Sequence, residues 1–279
     1  MTHSASAFNA RTLLFVPGHR AERFDKAMLS GADAICIDLE DAVPPERKAE
    51  ARRAALDHLD RSSGNVRVCL RINGLRTAEG LRDLLALAGS ANAPAAVLLP
   101  KTEDAGELRL ASAVCGRGRQ RWLPLIESAA GLHRLAVIAQ SAPDLAALMF
   151  GGADYSSDIG CAFTWEALLH ARQQIVCAAA LARVPAIDVP YLDIADAEGL
   201  LTETTRAAAL GFSAKAAIHP AQVATIQAAF VPNEEEAARA RRIVEAAQTT
   251  QGGAIVVDGR MVDAPVLAAA HRVLERVRT

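Results

Sequence analysis

The amino-acid sequence predicts an α/β protein, a closed (β/α)8 TIM barrel with a C-terminal helical and hairpin extension. Eight short apolar runs alternate with longer segments whose apolar residues recur at helical spacing. The runs are continuous and do not alternate with polar residues, which is typical of parallel strands covered on both faces. Eight such repeats within about 230 residues favour a closed barrel. A doubly wound open sheet is the alternative, although the sequence has no GxGxxG motif to support a dinucleotide site.

The predicted strands coincide with the apolar runs. They are residues 12–16, 34–39, 67–72, 95–100, 121–127, 145–150, 186–191 and 215–219. The intervening segments are rich in Ala, Glu, Arg and Leu, which favour helix. Pro44 and Pro45 mark the start of one helix, and Ser128 is a candidate N-cap of another. Gly31 and Gly211 stand where two helices are expected to end.

The chain continues past the eighth unit, and we assign residues 1–230 to the barrel and residues 231–279 to an extension. The extension begins with an acidic-to-basic helix, PNEEEAARARRIVEAAQ. The segment GGAIVVDGRMVDAP then predicts a hairpin with Asp258-Gly259 at its turn, and a final helix follows from about Pro265. We expect this extension to pack on the barrel or on a neighbouring subunit.

Composition and charge exclude several classes of function. The 279 residues are 51% hydrophobic and 22% charged, as in a globular protein with a large core. A net charge of −2 and the lack of a long basic run argue against a nucleic-acid partner. No run approaches the ~18 apolar residues of a membrane span, and the N-terminal segment lacks a signal-peptide pattern. The five cysteines form no close pair, which favours free thiols in a reducing cytoplasm over disulfides or zinc.

Polar residues stand at the carboxyl ends of the predicted strands, where the chemistry of a (β/α)8 barrel is found. In strand order they are His19 and Arg20, then Asp38, Glu40 and Asp41, then Arg71 and Asn73, then Lys101, Glu127, Asp154 and His219. Each has an ordinary alternative role, such as helix capping for an acid, a turn at Asp154 or an ion pair for Arg71. Because they come from different strand ends, we expect them to meet at one mouth.

Carboxylates gathered at one barrel mouth repel each other unless a cation neutralises them. Glu127 follows the apolar LPLI and Asp154 follows MFGGA, and neither acid has a basic neighbour in the sequence. Ligands that are all oxygen suit Mg²⁺, with Mn²⁺ as the alternative. The sequence therefore predicts a divalent cation beside these two carboxylates.

Eight motifs occur in a fixed order across nearly the whole chain: RTLLFVPG, DLEDAV, LRING, LLPK, LIESAAGL, FGGADYSSDIG, KAAIHPAQV and DGRMVDAP. Each motif alone is weakly specific, but the ordered set resembles the citrate lyase beta-chain-like branch of the HpcH/HpaI aldolase family. The resemblance implies a (β/α)8 barrel that binds Mg²⁺ and acts on CoA thioesters as a carbon–carbon lyase. The implied substrate is citryl-, malyl- or citramalyl-CoA, cleaved to a 2-keto acid and an acyl-CoA.

The resemblance also implies roles for residues at the strand ends. It makes Glu127 and Asp154 metal ligands, with Glu127 beside the bound substrate. It has Arg71 bind a carboxylate or carbonyl oxygen of the substrate, where the guanidinium can stabilise the enolate of the departing acyl-CoA. Glu40 and Asp41 are placed in the outer shell of the cation, where they hold its waters.

Further implied roles concern CoA and the assembly. In the family the loop after VPG helps to receive CoA, which puts Arg20 and Arg23 near phosphate. Family members assemble as homotrimers or homohexamers in which a late acid enters the site of a neighbour. Asp263 matches that acid and is the candidate general acid/base, with a metal-bound water as the alternative.

Two other functions stay open on the sequence alone. Lys101 ends the fourth strand and Lys215 begins the eighth, so either is a candidate for a Schiff base, which requires a lysine of depressed pKa. The chain can also be a CoA-ester-binding subunit without independent activity, because the family includes a subunit of a larger complex. The complete set of Arg71, Glu127 and Asp154 favours the metal-dependent lyase.

Overall fold

The computed structural model describes residues 8–61, 66–142, 144–248 and 254–278. The first seven residues of the N-terminal segment and residues 252–253 of the expected hairpin segment lie outside this description. Residues up to Ile226 form one compact unit and residues from Gln227 form a second. The sequence-based boundary between barrel and extension, at residue 230, therefore falls slightly later along the chain.

The first unit is a closed barrel of eight parallel strands. The strands are β1 (Thr12–Pro17), β2 (Ala34–Asp38), β3 (Arg67–Arg71), β4 (Val97–Leu99), β5 (Trp122–Ile126), β6 (Leu148–Phe150), β7 (Ala186–Asp188) and β8 (Ala214–Ala217). The last strand closes on the first, because Lys215 aligns with Thr12 and Ala217 with Leu14. Every strand overlaps its predicted run, so the predicted (β/α)8 barrel is confirmed and the open sheet is excluded.

The barrel interior is an apolar core to which all eight strands contribute, with Cys36, Leu98, Leu123 and Met149 among its buried members. β2 is buried along its whole length, because the core covers one face and helices cover the other. This two-sided burial is the physical reason that the strands appear in the sequence as continuous apolar runs.

Helices follow the strands around the barrel. They are α1 (Phe24–Met28), α2 (Lys48–Arg61), α3 (Ala78–Gly89), α4 (Ala105–Cys115), α5 (Ala129–His133), α6 (Leu135–Ala139), α7 (Gly152–Ile159), α8 (Trp165–Ala182), α9 (Ala197–Leu210) and α10 (Val223–Phe230). Short 3₁₀ segments occupy Ala21–Arg23, Pro45–Arg47 and Pro220–Gln222. Across the described residues, no helix combines the length and the hydropathy needed to span a bilayer.

Several predicted helix boundaries are confirmed. Ser128 caps α5, since its Oγ accepts the backbone N–H of Gly131 at 3.1 Å. Pro45 opens a 3₁₀ turn that runs directly into α2. Gly211 ends α9 with a φ of 114°, a conformation that strains any residue with a side chain. Gly31 also has a positive φ, 83°, in the loop beyond α1.

The second unit contains α11 (Glu234–Gln248), β9 (Ile255–Val257), β10 (Arg260–Val262) and α12 (Ala264–Arg278). The two strands form an antiparallel hairpin whose turn is at Asp258 and Gly259, with φ values of 51° and 72°. Positive φ at both turn residues is what a two-residue hairpin turn requires. Apolar residues that include Ile243 and Val262 form the core of this unit. The predicted helix, hairpin turn and final helix are confirmed, with the final helix beginning at Ala264.

Candidate active site

A cavity of about 440 Å³ lies at the carboxyl ends of the barrel strands. Its charged lining residues are Asp38, Asp41, Arg71, Glu127 and Asp154. They come from or directly follow four different strands and helices, as the strand-end pattern predicts. Four of them, all except Asp38, are residues to which the sequence assigned a role.

Arg71 and Asp38 form a bidentate ion pair at the mouth. Arg71 Nε donates to Asp38 Oδ1 at 2.7 Å and Nη2 donates to Oδ2 at 2.6 Å. The pairing follows from strand register, because Asp38 and Arg71 are aligned as the last residues of β2 and β3. The guanidinium also lies 5.2 Å from the ring centre of Phe15. Burial opposes the charged form, but the hydrogen bonds and charge of Asp38 outweigh it and raise the pKa of Arg71.

Glu40 and Asp41 lie between two cations. Glu40 Oε1 accepts from Lys101 Nζ at 2.8 Å, and its Oε2 lies 3.1 Å from Arg71 Nη1. Asp41 is half-exposed and lies 3.5 Å from Lys101 and 3.7 Å from Arg71. Burial raises the pKa of Glu40, although the charge of Arg71 and the hydrogen bond from Lys101 act in the opposite direction. The acids that the sequence places after β2 therefore meet basic residues from β3 and from the loop after β4.

Glu127 directly follows β5 and is almost completely buried. Its Oε1 accepts the backbone N–H of Lys101 at 2.7 Å. Gly151 packs so closely that a Cβ there would lie 2.5 Å from the Cβ and from Oε2 of Glu127. Burial, followed by the nearby negative charges of Glu40 and Asp154, raises the pKa of Glu127 to about 8.

Asp154 is in the first turn of α7 and is exposed to the cavity. The turn that sequence reasoning offered as its alternative is thus the start of a helix. Asp154 and Glu127 also line a second cavity of about 390 Å³, together with Arg76, Lys101 and Ser128. The two carboxylates therefore form the boundary between the two cavities.

The donor set at this boundary fits a hydrated Mg²⁺ ion. The carboxylates of Glu127 and Asp154 both line this boundary, and the negative charge of Asp154 contributes to the raised pKa of Glu127. Glu40 is a further buried carboxylate, and its Oε2 lies 3.1 Å from Arg71 Nη1. Within that same part of the chain, no three His, Cys, Asp or Glu side chains converge as a metal-binding group. Mg²⁺ commonly uses one or two protein carboxylates and keeps several waters, so two ligands suffice.

Arg20 and Asp263, to which the sequence assigned roles, are not among the residues that line the cavity. Arg20 is part-exposed, and its Nε donates to Glu22 at 2.8 Å. Asp263 belongs to the second unit, where its Oδ1 accepts the N–H of Val266 at 3.3 Å in the first turn of α12. Their proposed contacts with CoA and with a neighbouring site stay predictions.

Lys215, in the eighth strand, lies in a buried ion-pair cluster outside the main cavity. Lys215 is fully buried, and its Nζ donates to Asp188 at 2.7 Å and to Glu203 at 2.8 Å. Arg172 completes this cluster through a 2.9 Å bond to Asp188. None of these residues lines the main cavity. His219 likewise acts as a cap, with its Nδ1 accepting the N–H of Ala221 at 3.2 Å.

Sequence reasoning missed the positions of Asp38 and Gly151 in this site. Asp38 was visible as a strand-end acid, but its role as the partner of Arg71 depends on the register between β2 and β3. Aligning the ends of the two predicted strands would have suggested the pair. Gly151 carried no signal beyond the GG dipeptide, because its importance lies in the approach of a residue from another strand.

A (β/α)8 barrel with an arginine and buried carboxylates in a cavity at its carboxyl ends is the arrangement of an enzyme. The family model described as HpcH/HpaI aldolase/citrate lyase matches residues 11–220, and the chain belongs to that family. Its relatives are named lyases, and the chain is accordingly a carbon–carbon lyase.

Three curated relatives show the range of names. A citrate lyase subunit beta-like protein of Mycobacterium tuberculosis is 38% identical, over 94% of this chain and 94% of its own length. The mitochondrial citramalyl-CoA lyase of Homo sapiens is 32% identical, over 94% of this chain and 83% of the human protein. The L-malyl-CoA/beta-methylmalyl-CoA lyase of Rhodobacter capsulatus is 33% identical, over 95% and 94% of the two chains.

Solved structures agree with the fold. Protein CitE from Mycobacterium tuberculosis, in complex with magnesium, acetoacetate and coenzyme A, superposes with a TM-score of 0.85 at 35% identity, covering 98% of this chain and all of that one. The citrate lyase beta subunit from the same organism, complexed with oxaloacetate and magnesium, gives a TM-score of 0.70 at 34% identity, covering 81% of this chain and 99% of that one.

Proposed function

We propose that this chain is a Mg²⁺-dependent lyase that cleaves a short 3-hydroxyacyl-CoA thioester into a 2-keto acid and an acyl-CoA. The observation that carries the proposal is the single cavity lined by Arg71, Glu127 and Asp154. Relatives named for citramalyl-CoA and malyl-CoA support a substrate of this type. The relative solved with magnesium, acetoacetate and coenzyme A supports both the cation and the thioester.

In this proposal Glu127 and Asp154 hold the cation, and Glu40 and Asp41 lie in its outer shell. When bound, Mg²⁺ supplies a Lewis acid for the oxygens of the keto-acid half of the substrate. The chain itself fixes the position of Glu127, through the Lys101 N–H on one side and the close approach of Gly151 on the other. Such fixed carboxylates need little reorganisation during the reaction.

The reaction breaks the bond between C2 and C3 of the acyl chain. The 3-hydroxyl proton passes to a general base, and its oxygen becomes the ketone of the 2-keto acid. The electron pair of the broken bond moves onto the thioester as an enolate, which then takes a proton at C2 to give the acyl-CoA. Arg71 supplies positive charge for the enolate, and Asp38 holds its guanidinium in a fixed orientation.

The remaining site residues are part of the same proposal. Asp263 acts as general acid/base in the site of a neighbouring subunit, within a homotrimer or homohexamer. Arg20 and the exposed Arg23 bind phosphate groups of CoA. A reducing cytoplasm is the proposed location, because all five cysteines lie in the described part of the chain and are free thiols.

The Schiff-base alternative finds no support in the surroundings of its two lysines. Burial acts to lower the pKa of Lys101, but its hydrogen bond to Glu40 and the charges of the nearby acids outweigh it and raise that pKa. A raised pKa is the opposite of what a nucleophilic lysine needs. Lys215 is enclosed by Asp188 and Glu203 outside the cavity lining. The metal-dependent route is therefore favoured.

A panel assay tests the proposal. The purified chain with Mg²⁺ is given citramalyl-, malyl-, methylmalyl- and citryl-CoA, and release of the 2-keto acid is measured. We expect turnover that EDTA abolishes and Mg²⁺ restores, loss of turnover in Arg71→Ala, and retention in Arg206→Ala, which removes an arginine outside the cavity. Turnover by the isolated chain rules out a subunit that only binds CoA esters. Failure of all four thioesters with Mg²⁺ and with Mn²⁺ contradicts the proposal.

A further inference from the structure

The loop after β2 carries Glu40 and Asp41, and its backbone is bound by Lys48 at the start of α2. Lys48 Nζ donates to the carbonyl oxygen of Leu39 at 2.8 Å and to that of Glu40 at 2.6 Å. A third bond, of 2.7 Å, goes to Asn73 Oδ1 in the loop after β3. An ammonium group has three protons to donate, so these three oxygens use all of them.

Neither helix formation nor an ion pair accounts for a lysine at position 48. A cation in the first turn of a helix opposes the helix dipole, so α2 gains nothing from the charge of Lys48. Within the described residues, each of the bonds of Lys48 goes to an uncharged oxygen. The bonds of this lysine therefore serve the loop rather than the neutralisation of an acid.

The third acceptor of Lys48 is itself held in place by Asp83 of α3. Asp83 Oδ2 accepts the backbone N–H of Asn73 at 2.8 Å and its side-chain Nδ2 at 2.6 Å. Asp83 Oδ1 accepts from Arg52 Nε, and Asn73 Nδ2 also donates to the carbonyl of Leu39 at 3.0 Å. Asn73 and Asp83 are both buried. The lysine is thus fixed between a rigid amide and the loop that it binds.

Both loop carbonyls keep a second partner if Lys48 is removed. The carbonyl of Leu39 still accepts from Asn73 Nδ2. The carbonyl of Glu40 still accepts the N–H of Val43 at 3.0 Å. Loss of the lysine therefore leaves no loop carbonyl without a hydrogen bond, and the loop is expected to shift rather than to unfold.

We infer that Lys48 is a positioning residue that holds residues 39–42 in the geometry in which Glu40 and Asp41 reach the waters of the cation. The inference rests on the proposed function, which places both acids in the outer shell of Mg²⁺. Disturbing such outer-shell groups typically costs about 10–100-fold in metal affinity. Lys48 lines neither of the two cavities at the barrel mouth, so it acts through the backbone of the loop.

Titration of Mg²⁺ by calorimetry tests the inference. We expect Lys48→Met, which keeps the stem and loses the donors, to weaken Mg²⁺ binding by roughly 10-fold or more. Lys26→Met, at an exposed lysine of α1, is the matched control and should bind Mg²⁺ like the wild type. Wild-type Mg²⁺ affinity in Lys48→Met overturns the inference.

A second variant covers the case in which Lys48→Met does not fold. Lys48→Arg keeps the charge and the long stem, but a planar guanidinium cannot direct its donors to three oxygens around one nitrogen. We expect Lys48→Arg to fold and to bind Mg²⁺ more weakly than the wild type. A folded Lys48→Arg protein with wild-type affinity overturns the inference, and so does an unfolded one, which shows a structural role.

A background without the two acids separates positioning from a structural effect. In Glu40→Gln/Asp41→Asn protein, the carboxylates through which Lys48 is inferred to act are neutral. Adding Lys48→Met to that background should change Mg²⁺ affinity by less than about 2-fold, because the effects of coupled residues do not add. A structural role predicts the full loss again, and an undiminished loss overturns the inference.

Hydrogen exchange of the metal-free protein gives a readout that does not depend on Mg²⁺. We expect the amides of residues 39–43 to exchange on the order of 10-fold faster in Lys48→Met. Strand β5 should keep its wild-type rates, and Lys26→Met should change neither segment. If the wild type binds no Mg²⁺, the proposed metal site fails, and this exchange alone decides whether Lys48 holds the loop. Unchanged exchange of residues 39–43 overturns the inference.

Discussion

The backbone N–H of Lys101 donates a 2.7 Å hydrogen bond to Oε1 of Glu127. Lys101 follows β4 and Glu127 follows β5, so the bond joins the ends of two neighbouring strands. It is made with a left-handed backbone at Lys101, with a φ of 51°, which is uncommon for a residue other than glycine. The Nζ of the same residue donates to Glu40. Lys101 thus connects a proposed metal ligand with an acid of the proposed outer shell.

Gly151 fixes Glu127 from the opposite direction, and Gly151→Ala should disturb the site. The added Cβ would lie 2.5 Å from Glu127, so the carboxylate must move. We expect weaker Mg²⁺ binding, slower turnover and a loss of about 1–3 kcal/mol of unfolding free energy from overpacking. Gly89→Ala in α3 is the matched control, because nothing lies within 4 Å of its added Cβ. Gly89→Ala should gain about 0.5–1 kcal/mol of unfolding free energy. Equal Mg²⁺ binding, turnover and stability in the two variants would contradict the argument.

Asp38→Asn should misplace Arg71 and destabilise the barrel mouth. The amide presents hydrogen-bond donors to a guanidinium that also only donates, so the bidentate pair is lost. Breaking a buried pair costs about 3–5 kcal/mol, and turnover should fall together with stability. Denaturant unfolding and kcat measure the two effects. Glu22→Gln removes the exposed partner of Arg20 and should change neither appreciably. A stable, fully active Asp38→Asn protein disproves the positioning role.

Stability should depend on pH through His58, which is buried and packs edge-on against Phe24 at 5.2 Å. Burial lowers the pKa of His58, with Asp25 opposing the shift and Arg61 adding to it. The unfolded chain therefore binds the proton first as the pH falls below about 6.5. The free energy of unfolding should decrease from pH 7 toward pH 5, and His58→Phe should reduce that decrease. Parallel pH profiles for the wild type and the variant would show that His58 does not contribute.

Asp263→Asn should leave folding and Mg²⁺ binding intact and slow turnover by roughly 10²–10⁴-fold, as for a lost general acid/base. Mixing Asp263→Asn chains with Arg71→Ala chains tests whether a site is shared between subunits. If it is, exchange creates some sites with an intact Arg71 and an intact Asp263, and part of the activity returns. Mixing that restores nothing contradicts the shared site, and a loss of stability in Asp263→Asn points instead to its cap on α12.

The elements of the barrel could be predicted from the sequence because two-sided burial leaves a plain signal. β2 and β5 are buried at every residue, and residues 34–37 of β2 and Trp122–Ile126 of β5 accordingly appear as uninterrupted apolar runs. The hairpin turn could be predicted as well, because Asp-Gly is a preferred pair for a two-residue turn in which both residues have positive φ. Asp258 and Gly259 both adopt that conformation. In each case the decisive interaction is local in the chain or repeats along it.

The site could be predicted only as a set of strand ends. Sequence placed Glu127 and Asp154 at one mouth, but the left-handed backbone of Lys101 has no sequence signature because Lys101 is not glycine. Lys215 was considered as a nucleophile because sequence position does not reveal which side of a strand faces the cavity. Its contact with Asp188 follows from the register between β7 and β8, and its contact with Glu203 follows from packing between β8 and α9. Interactions set by register and packing are thus the ones that sequence reasoning could not supply.

The central claim, that Glu127 and Asp154 hold a divalent cation, is tested most directly by titrating Mg²⁺ into Glu127→Gln and Asp154→Asn proteins by calorimetry. Each substitution removes one negative charge while nearly preserving shape, and Glu198→Gln removes a charge outside the cavity as the control. We predict that both site variants stay folded, because like-charge repulsion is relieved, and lose on the order of 10²-fold or more in Mg²⁺ affinity. Glu198→Gln should bind Mg²⁺ like the wild type. Near-normal Mg²⁺ affinity in a folded Glu127→Gln or Asp154→Asn protein would contradict the account.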